Sequence, residues 1–376
     1  MPGGRLTVVQ LLPALNAGGV ERSVLEIGRA LVAAGHRSIA VSAGGRLVDR
    51  LVAEGTEHVS IDIGAKSLTT LKHIWTLRRL FEKERPDIVH ARSRLPAWLA
   101  RFALGGMAAA TRPPASRPHF VTTVHGLNSP SYYSSVLTRS ERVICVSNAV
   151  RDYVLKHYPR TDPGRLTVIP RGVDPEEFPF GYQPDDAWRR GFFMDYPKLE
   201  GGLLLTLPGR GTRLKGHHDA IVLLSELVSR GFDARLLLLG AREPGREAYI
   251  AELQQLTLQR GVADRVVITA PRNDVREIYA ISSLVLQLSN QPESFGRTVI
   301  EAIALCRPVV GYAHGGVGEL LAELYPEGRV PPGDMTRLIE RAAELLRLAP
   351  PVPVLTRYRL ADMQAATLAV YEQLTG

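Results

Sequence analysis

The sequence predicts an α/β protein of two domains, each a parallel sheet with helices on both faces, and three observations carry that prediction. A chain of 376 residues is long enough for two domains that each bury a core of their own. Short, almost continuously apolar runs alternate with segments of helical period, the pattern of strands buried on both sides and of the helices that cross between them. After residues 175–200, rich in Pro, Phe and Asp and read as a connector, the alternation starts afresh near Leu203. The expected domains are residues 1–180 and 181–354, and the remaining segment 355–376 holds an amphipathic helix over 355–374.

In the first half, strands are expected at 6–12, 38–42, 58–63, 87–91, 120–124, 142–146 and 166–169, with helices at 20–34, 68–83 and 97–104. In a parallel sheet ligands bind beyond the carboxyl ends of the strands, so the residues that follow strands are the functional candidates. Asn16-Ala17-Gly18-Gly19 follows the first strand and opens a helix, and its glycines let backbone come close to a ligand. This is not the G-x-G-x-x-G spacing of a dinucleotide site. His125-Gly126 follows the strand 120–124, and Ser147, after 142–146, reads as a helix N-cap. Ile169-Pro170-Arg171-Gly172-Val173-Asp174 ends the half, with Gly172 suited to a turn and Asp174 to holding a loop or reaching an acceptor.

In the second half, 203–207 reads as a strand, followed by the glycine-rich loop 208–217 that opens a helix. Arg210 and Lys215 in that loop are candidates for a cationic clamp on a diphosphate. Further strands are expected at 236–239, 266–269 and 284–288. The stretch 291–316 reads as loop, helix, strand and glycine turn. Val299, Ile300, Ile303 and Ala304 recur at helical spacing, so the helix begins near Phe295-Gly296, and its first free amides, about 296–299, form an anion site. Glu293 stands before those amides and Glu301 inside the helix. Since a carboxylate does not bind a phosphate, the pairing fits a ligand that offers phosphates to amides and hydroxyls to acids, as a nucleotide-sugar does.

Glu293-x7-Glu301, with Phe295-Gly296 inside it and Pro308-Val309-Val310 and Gly315-Gly316-x-x-Glu319 downstream, resembles the donor-site signature of the retaining glycosyltransferases of family 4. The resemblance implies the GT-B fold, two Rossmann-like domains whose parallel sheets face a central cleft, the first binding the acceptor and the second the nucleotide-sugar. It also implies that the C-terminal helix, 355–376, packs back on the first domain. On the matching positions, Gly18 and Gly19 lie near the donor diphosphate, His125 sits beside the transferred sugar, and Arg210 and Lys215 bind the donor phosphates. Glu293, Ser294, Phe295, Gly296, Arg297, Thr298, Val299 and Glu301 complete the donor site, and Asn16, Gly126, Arg171 and Asp174 face the acceptor. The catalytic set is His125, Arg210, Lys215 and Glu293. The family retains anomeric configuration, and the leaving phosphate can itself deprotonate the acceptor hydroxyl.

No cofactor or metal is expected, since no Asp-x-Asp occurs in the chain and two cations can stand in for a divalent ion. Uridine diphosphate is the default carrier from the resemblance. The chain departs from the family at Ser294 and Cys306, each in place of the usual Gly. Its Phe295-Gly296-Arg297 variant and basic first half are similar to enzymes that extend lipopolysaccharide cores or other lipid-linked glycans. Two rival reactions are a nucleotide-sugar 2-epimerase of similar fold and an NAD(P)-dependent oxidoreductase, the latter weakened by the missing G-x-G-x-x-G after either first strand. A polyanion-binding protein without activity is a third rival, from charge alone.

Charge separates the halves. Residues 1–180 carry 24 Lys and Arg against 15 Asp and Glu, and the remainder 22 against 23. A basic first half implies an acidic partner such as an anionic membrane surface or a phosphorylated glycolipid. Nucleic acid is not expected, for want of zinc-finger spacing, an aromatic RNA-binding motif or a basic helix with heptads. Arg92, Arg94 and Arg101 flank Leu95, Trp98, Leu99 and Phe102, and residues 108–118 add Arg112 and Arg117; the segment reads first as a helix packed on the sheet followed by a surface loop, and alternatively as a combination suited to an anionic bilayer. No apolar run reaches the length needed to span one, and 6–15 reads as a buried strand rather than a signal peptide. The two cysteines, Cys145 and Cys306, lie in separate apolar segments, which argues for a reducing compartment. A cytoplasmic protein, peripheral at the inner face of the membrane, is the expectation.

Overall fold

The structure is a computed structural model that describes residues 4–16, 18–106 and 117–376. The chain forms two compact units, Met1–Pro170 with Leu360–Gly376, and Arg171–Arg359. The first unit holds seven strands, β1 (Thr7–Leu11), β2 (Arg37–Ser42), β3 (Glu57–Ser60), β4 (Ile88–Ala91), β5 (His119–Val124), β6 (Arg142–Cys145) and β7 (Leu166–Val168). Its helices are α1 (Gly19–Ala33), α2 (Val48–Ala53), α3 (His73–Glu84), α4 (Arg94–Gly105) and α5 (Asn148–His157). The sheet is parallel throughout, in the order β3-β2-β1-β4-β5-β6-β7. Central strands such as β1, with Val8, Val9 and Leu11 fully buried, read as apolar runs because helices cover both faces.

The second unit repeats the plan with β8 (Leu203–Pro208), β9 (Ala234–Leu239), β10 (Val266–Ile268), β11 (Leu284–Gln287), β12 (Val309–Tyr312) and β13 (Arg329–Val330). Its helices are α6 (Asp186–Asp195), α7 (His217–Ser229), α8 (Glu247–Gln259), α9 (Val275–Ile281), α10 (Arg297–Ala304), α11 (Gly315–Leu324) and α12 (Met335–Leu348). The strand order is β10-β9-β8-β11-β12-β13, again parallel. Strand order reverses between β1 and β4 in the first sheet and between β8 and β11 in the second. A crevice opens at the carboxyl ends of such a pair, because the loops there leave in opposite directions.

The last helix, α13 (Leu360–Thr375), belongs to the first unit. Leu360, Met363, Val370 and Tyr371 join Leu6, Val8, Ile27, Ile88, Val121 and Ile144 in one core cluster, each large side chain contributing roughly 1.5–3 kcal/mol on burial. The Tyr371 hydroxyl lies 2.6 Å from His90 Nδ1, and His90 Nε2 lies 2.7 Å from Thr123 Oγ1, so the buried imidazole is satisfied on both sides.

Three expectations are corrected. Residues 175–200 are more than a connector: they contain α6, whose Asp185 cap accepts from the Trp188 N–H at 2.7 Å. Trp188 stacks on Phe192, and the Trp188 indole N–H donates to Asp274 at 3.0 Å. Arg92 is no surface residue. It is 2% exposed and donates to Gln10 Oε1 at 2.5 Å and Ser23 Oγ at 3.4 Å, so it ties β1 and α1 together inside the unit. The 68–83 helix is split into a 3-10 turn, Leu68–Lys72, and α3. Most of 108–118, with Arg112, lies outside the described residues. Ser147 caps α5 as expected, accepting from the Val150 N–H at 3.1 Å. Cys145 is buried, which pushes its thiol up to about 12. Among the described residues no helix is long and apolar enough to cross a membrane.

Candidate functional site

The crevice of the second sheet is built by the loop after β8 and the loop after β11. The first, 209–216, lies directly on the strand ends: a Cβ on Gly211 would meet the Ala241 carbonyl oxygen at 2.1 Å, and one on Gly216 the Leu288 carbonyl oxygen at 2.0 Å. Gly216 also has a φ of 75°, where L side chains are strained, and from it α7 begins. The second loop is bonded to the first, with the Asn290 N–H donating to the Leu214 carbonyl and the Asn290 side-chain amide to the Arg213 carbonyl, both at 3.0 Å. On its other side Arg213 pairs with Glu252 of α8 at 2.5 Å.

This clamp sets the charged pair at the centre. Lys215 Nζ lies 2.5 Å from Glu293 Oε1, each side chain about a quarter exposed, and the Ser289 hydroxyl donates to the same oxygen. His314 Nε2 holds the Ser289 carbonyl at 2.7 Å. Gly315 and Gly316 open α11 against the same loop. The Gly316 N–H donates to the Glu293 carbonyl at 2.8 Å, and a Cβ on either glycine would lie within 2.4–2.5 Å of backbone at Glu293 or Phe295. The paired glycines of the sequence are therefore required by this contact.

Arg210 is exposed on the first loop and has no ion-pair partner among the described residues. Ser294 precedes Phe295, which is 5% exposed and faces the Tyr358 ring, centroid to centroid at 6.0 Å. Gly296, with φ 109°, caps α10. Of the first amides of that helix, Val299 N–H is donated within the turn to the Gly296 carbonyl at 3.0 Å, so the amides of Arg297 and Thr298 define the helix tip. Glu301 lies a turn further in and is 7% exposed.

The residues expected in the first half fall into two places. Asn16, Gly18 and Gly19 lead from β1 into α1, Asn16 and both glycines exposed. His125 and Gly126 are half-buried after β5, where the Asn128 amide donates to the Gly126 carbonyl at 3.3 Å. Arg171 is buried and, with Asp174, belongs to the second unit. Asp174 holds a loop, accepting from the Glu176 N–H at 3.0 Å.

Ser289, Asn290, His314 and His217 were not singled out in the sequence, although the rule that strand-following residues are candidates would have found the first three. His217 is fully buried at the start of α7, 3.4 Å from the Tyr249 hydroxyl. Burial pushes it down to about 4, against the opposing pull of the Thr212 and Gly209 carbonyls. Among the described residues no three His, Cys, Asp or Glu side chains gather where a metal ion could be held.

Two parallel-sheet units, each with a strand-order reversal, define the GT-B class of protein. Residues 17–177 match the model of Glycosyltransferase Family 4, and residues 192–357 match that of Glycosyl transferases group 1. The chain belongs to the family 4, group 1 glycosyltransferases. It is similar to a solved glycosyltransferase from Rickettsia africae, with 26% identity, a TM-score of 0.82 and 98% of both chains covered. It shares its fold with Anabaena Alr3699/HepE, solved in complex with UDP and glucose, at 18% identity and a TM-score of 0.77, covering 98% of this chain and 100% of that one. Among curated proteins it is 24% identical over 277 residues to the N-acetyl-alpha-D-glucosaminyl L-malate synthase of Bacillus anthracis, 71% of this chain and 67% of that one. Over the next such relatives the match spans only 40–43% of their length.

Proposed function

We propose that the chain is a retaining glycosyltransferase that moves a hexose from a nucleoside-diphosphate sugar, with UDP as carrier, to a glycan or glycolipid acceptor. One observation carries the reading: Lys215, Glu293 and the α10 tip meet on interlocked loops at the crevice of the second sheet. Donor binding inserts the pyrophosphate between Lys215, Arg210 and the helix tip, and Glu293 turns from the lysine to the sugar hydroxyls. Breaking the sugar–phosphate bond builds negative charge on the leaving diphosphate, and preorganised cations and amides lower that barrier by roughly 3 kcal/mol each. The acceptor hydroxyl attacks from the face the diphosphate leaves, and the departing phosphate takes its proton. His125, at the end of β5, is the proposed sugar-side contact of the first unit.

The Ser294 side chain narrows the sugar pocket. The acceptor proposed is a lipid-linked glycan such as a lipopolysaccharide core, with the basic first unit placing the protein at an anionic membrane face. The deciding assay measures donor hydrolysis and transfer over a panel of nucleotide-sugars, with and without glycolipid acceptor. Acceptor-dependent transfer from one donor is the expected result; oxidation of NADH with no turnover of any nucleotide-sugar rejects the reading.

A further inference from the structure

The proposed diphosphate loops lie in the second unit, so donor binding itself makes no use of the basic charge of the first half. Part of the excess is gathered around a groove of about 700 Å³ in the first unit, between residues 130–139 and 157–161. Arg139, His157 and Arg160 line it together with Tyr132 and Tyr158, and no carboxylate does. Arg139 stands three residues before β6, and residues 157–161 lead from α5 toward β7. The groove is thus at the end of the sheet where these strands begin, opposite to the end where Asn16, Gly18, Gly19 and His125 follow theirs.

The surroundings define its chemistry. Asp162, the acid next to the groove in sequence, is committed elsewhere, accepting from the Gly164 N–H at 2.9 Å and facing Arg165 at 3.8 Å. The lining hydroxyls of Ser135 and Thr138 are donated to backbone carbonyls at 2.7 and 3.0 Å. They fix the shape of the groove, and its cationic donors are the two arginines. Neither Arg139 nor Arg160 has a carboxylate partner among the described residues. Arg139 lies 4.5 Å over the ring of Tyr132, which is 71% exposed. A guanidinium offers a planar fork that matches two phosphate oxygens, and a tyrosine plate beside it suits the carbon skeleton of the ester.

We propose that this groove is a second anion site, separate from the nucleotide-sugar crevice, which binds the phosphate ester of a polar ligand through Arg139 and Arg160 with Tyr132 against its carbon skeleton. A soluble phosphosugar and a phospholipid headgroup supply the same chemistry. The test titrates the full chain by calorimetry with glucose 6-phosphate and, separately, with phosphatidylglycerol vesicles by co-sedimentation.

Whichever probe binds should bind about tenfold more weakly to Arg139→Gln/Arg160→Gln, as expected for loss of charge-assisted bonds. Glucose 6-phosphate binding points to a soluble ligand, and vesicle binding without it to a headgroup. The proposal is overturned if neither probe binds the wild type, or if the variant binds as well. Arg160→Gln alone, at an exposed position, carries the same comparison if the double variant does not fold. UDP affinity is read in parallel and should not change. A chain that binds glucose 6-phosphate through Arg139 but no UDP sinks the donor reading and leaves this one standing.

Discussion

Gly216 and Gly316, in loops that follow strands of the second unit, have no room for a side chain, while Gly19 and Gly126, after strands of the first unit, face open space. A Cβ on Gly216 would lie 2.0 Å from the Leu288 carbonyl oxygen and one on Gly316 2.5 Å from Phe295 Cα, whereas no described atom lies within 4 Å of the corresponding point on Gly19 or Gly126. At Gly216 and Gly316 glycine is a packing requirement, met before any ligand arrives. At Gly19 and Gly126 the space beside the backbone is left for something else. Stability and function should therefore separate under the same substitution in the two places.

The largest effect is expected at the charged pair and at Arg210 beside it in the loop after β8. Arg210→Ala, Lys215→Ala and Glu293→Ala should each lower transfer by at least tenfold and up to about a hundredfold, at about 3 kcal/mol per lost charge contact, with circular dichroism unchanged. Because Lys215 and Glu293 share one contact, the double variant should lose less than the sum of the singles; additive losses would show that the two act independently.

Gly216→Ala, at positive φ and without space, should cost about 1–3 kcal/mol in urea unfolding. Gly19→Ala and Gly126→Ala should leave the unfolding midpoint in place and lower transfer instead. Equal stability losses in both units would remove the contrast.

A graded effect of similar size comes from pH. His217 is held at about 4 against an ordinary 6.5, so between those values the unfolded chain takes up a proton that the folded chain refuses. Its contribution is complete above pH 6.5 and is lost on acidification toward 4, by on the order of 3 kcal/mol. His217→Gln should flatten that part of the stability profile. The smallest effect is expected at Cys306, which ends α10 with a φ of 61°. Cys306→Gly should raise stability by about 1 kcal/mol by relieving left-handed strain.

The fold was legible because its strands are buried on both faces and announce themselves as apolar runs; β1, β5 and β8 lie within a residue of their expected ends. Capping chemistry was legible at Ser147, and the start of α10 at Gly296. The helix α6 was hidden by the composition around it, since Pro and Phe dominated a segment whose Asp185 cap and Trp188–Phe192 spacing are helical. Arg92 was misread because sequence cannot tell a surface arginine from one folded under α1 onto Gln10. At the site, the loop residues were visible from motif and spacing. The Lys215–Glu293 contact spans 78 residues and depends on β8 and β11 being neighbours, which only the strand order reveals.

Whether the loops after β8 and β11 hold a pyrophosphate is decided by comparing UDP with uridine in calorimetric titrations of wild type and Arg210→Ala/Lys215→Ala. Wild type should prefer UDP by at least about tenfold, and the variant should lose this preference while still binding uridine. A variant that keeps the full preference would contradict this assignment and place the diphosphate elsewhere.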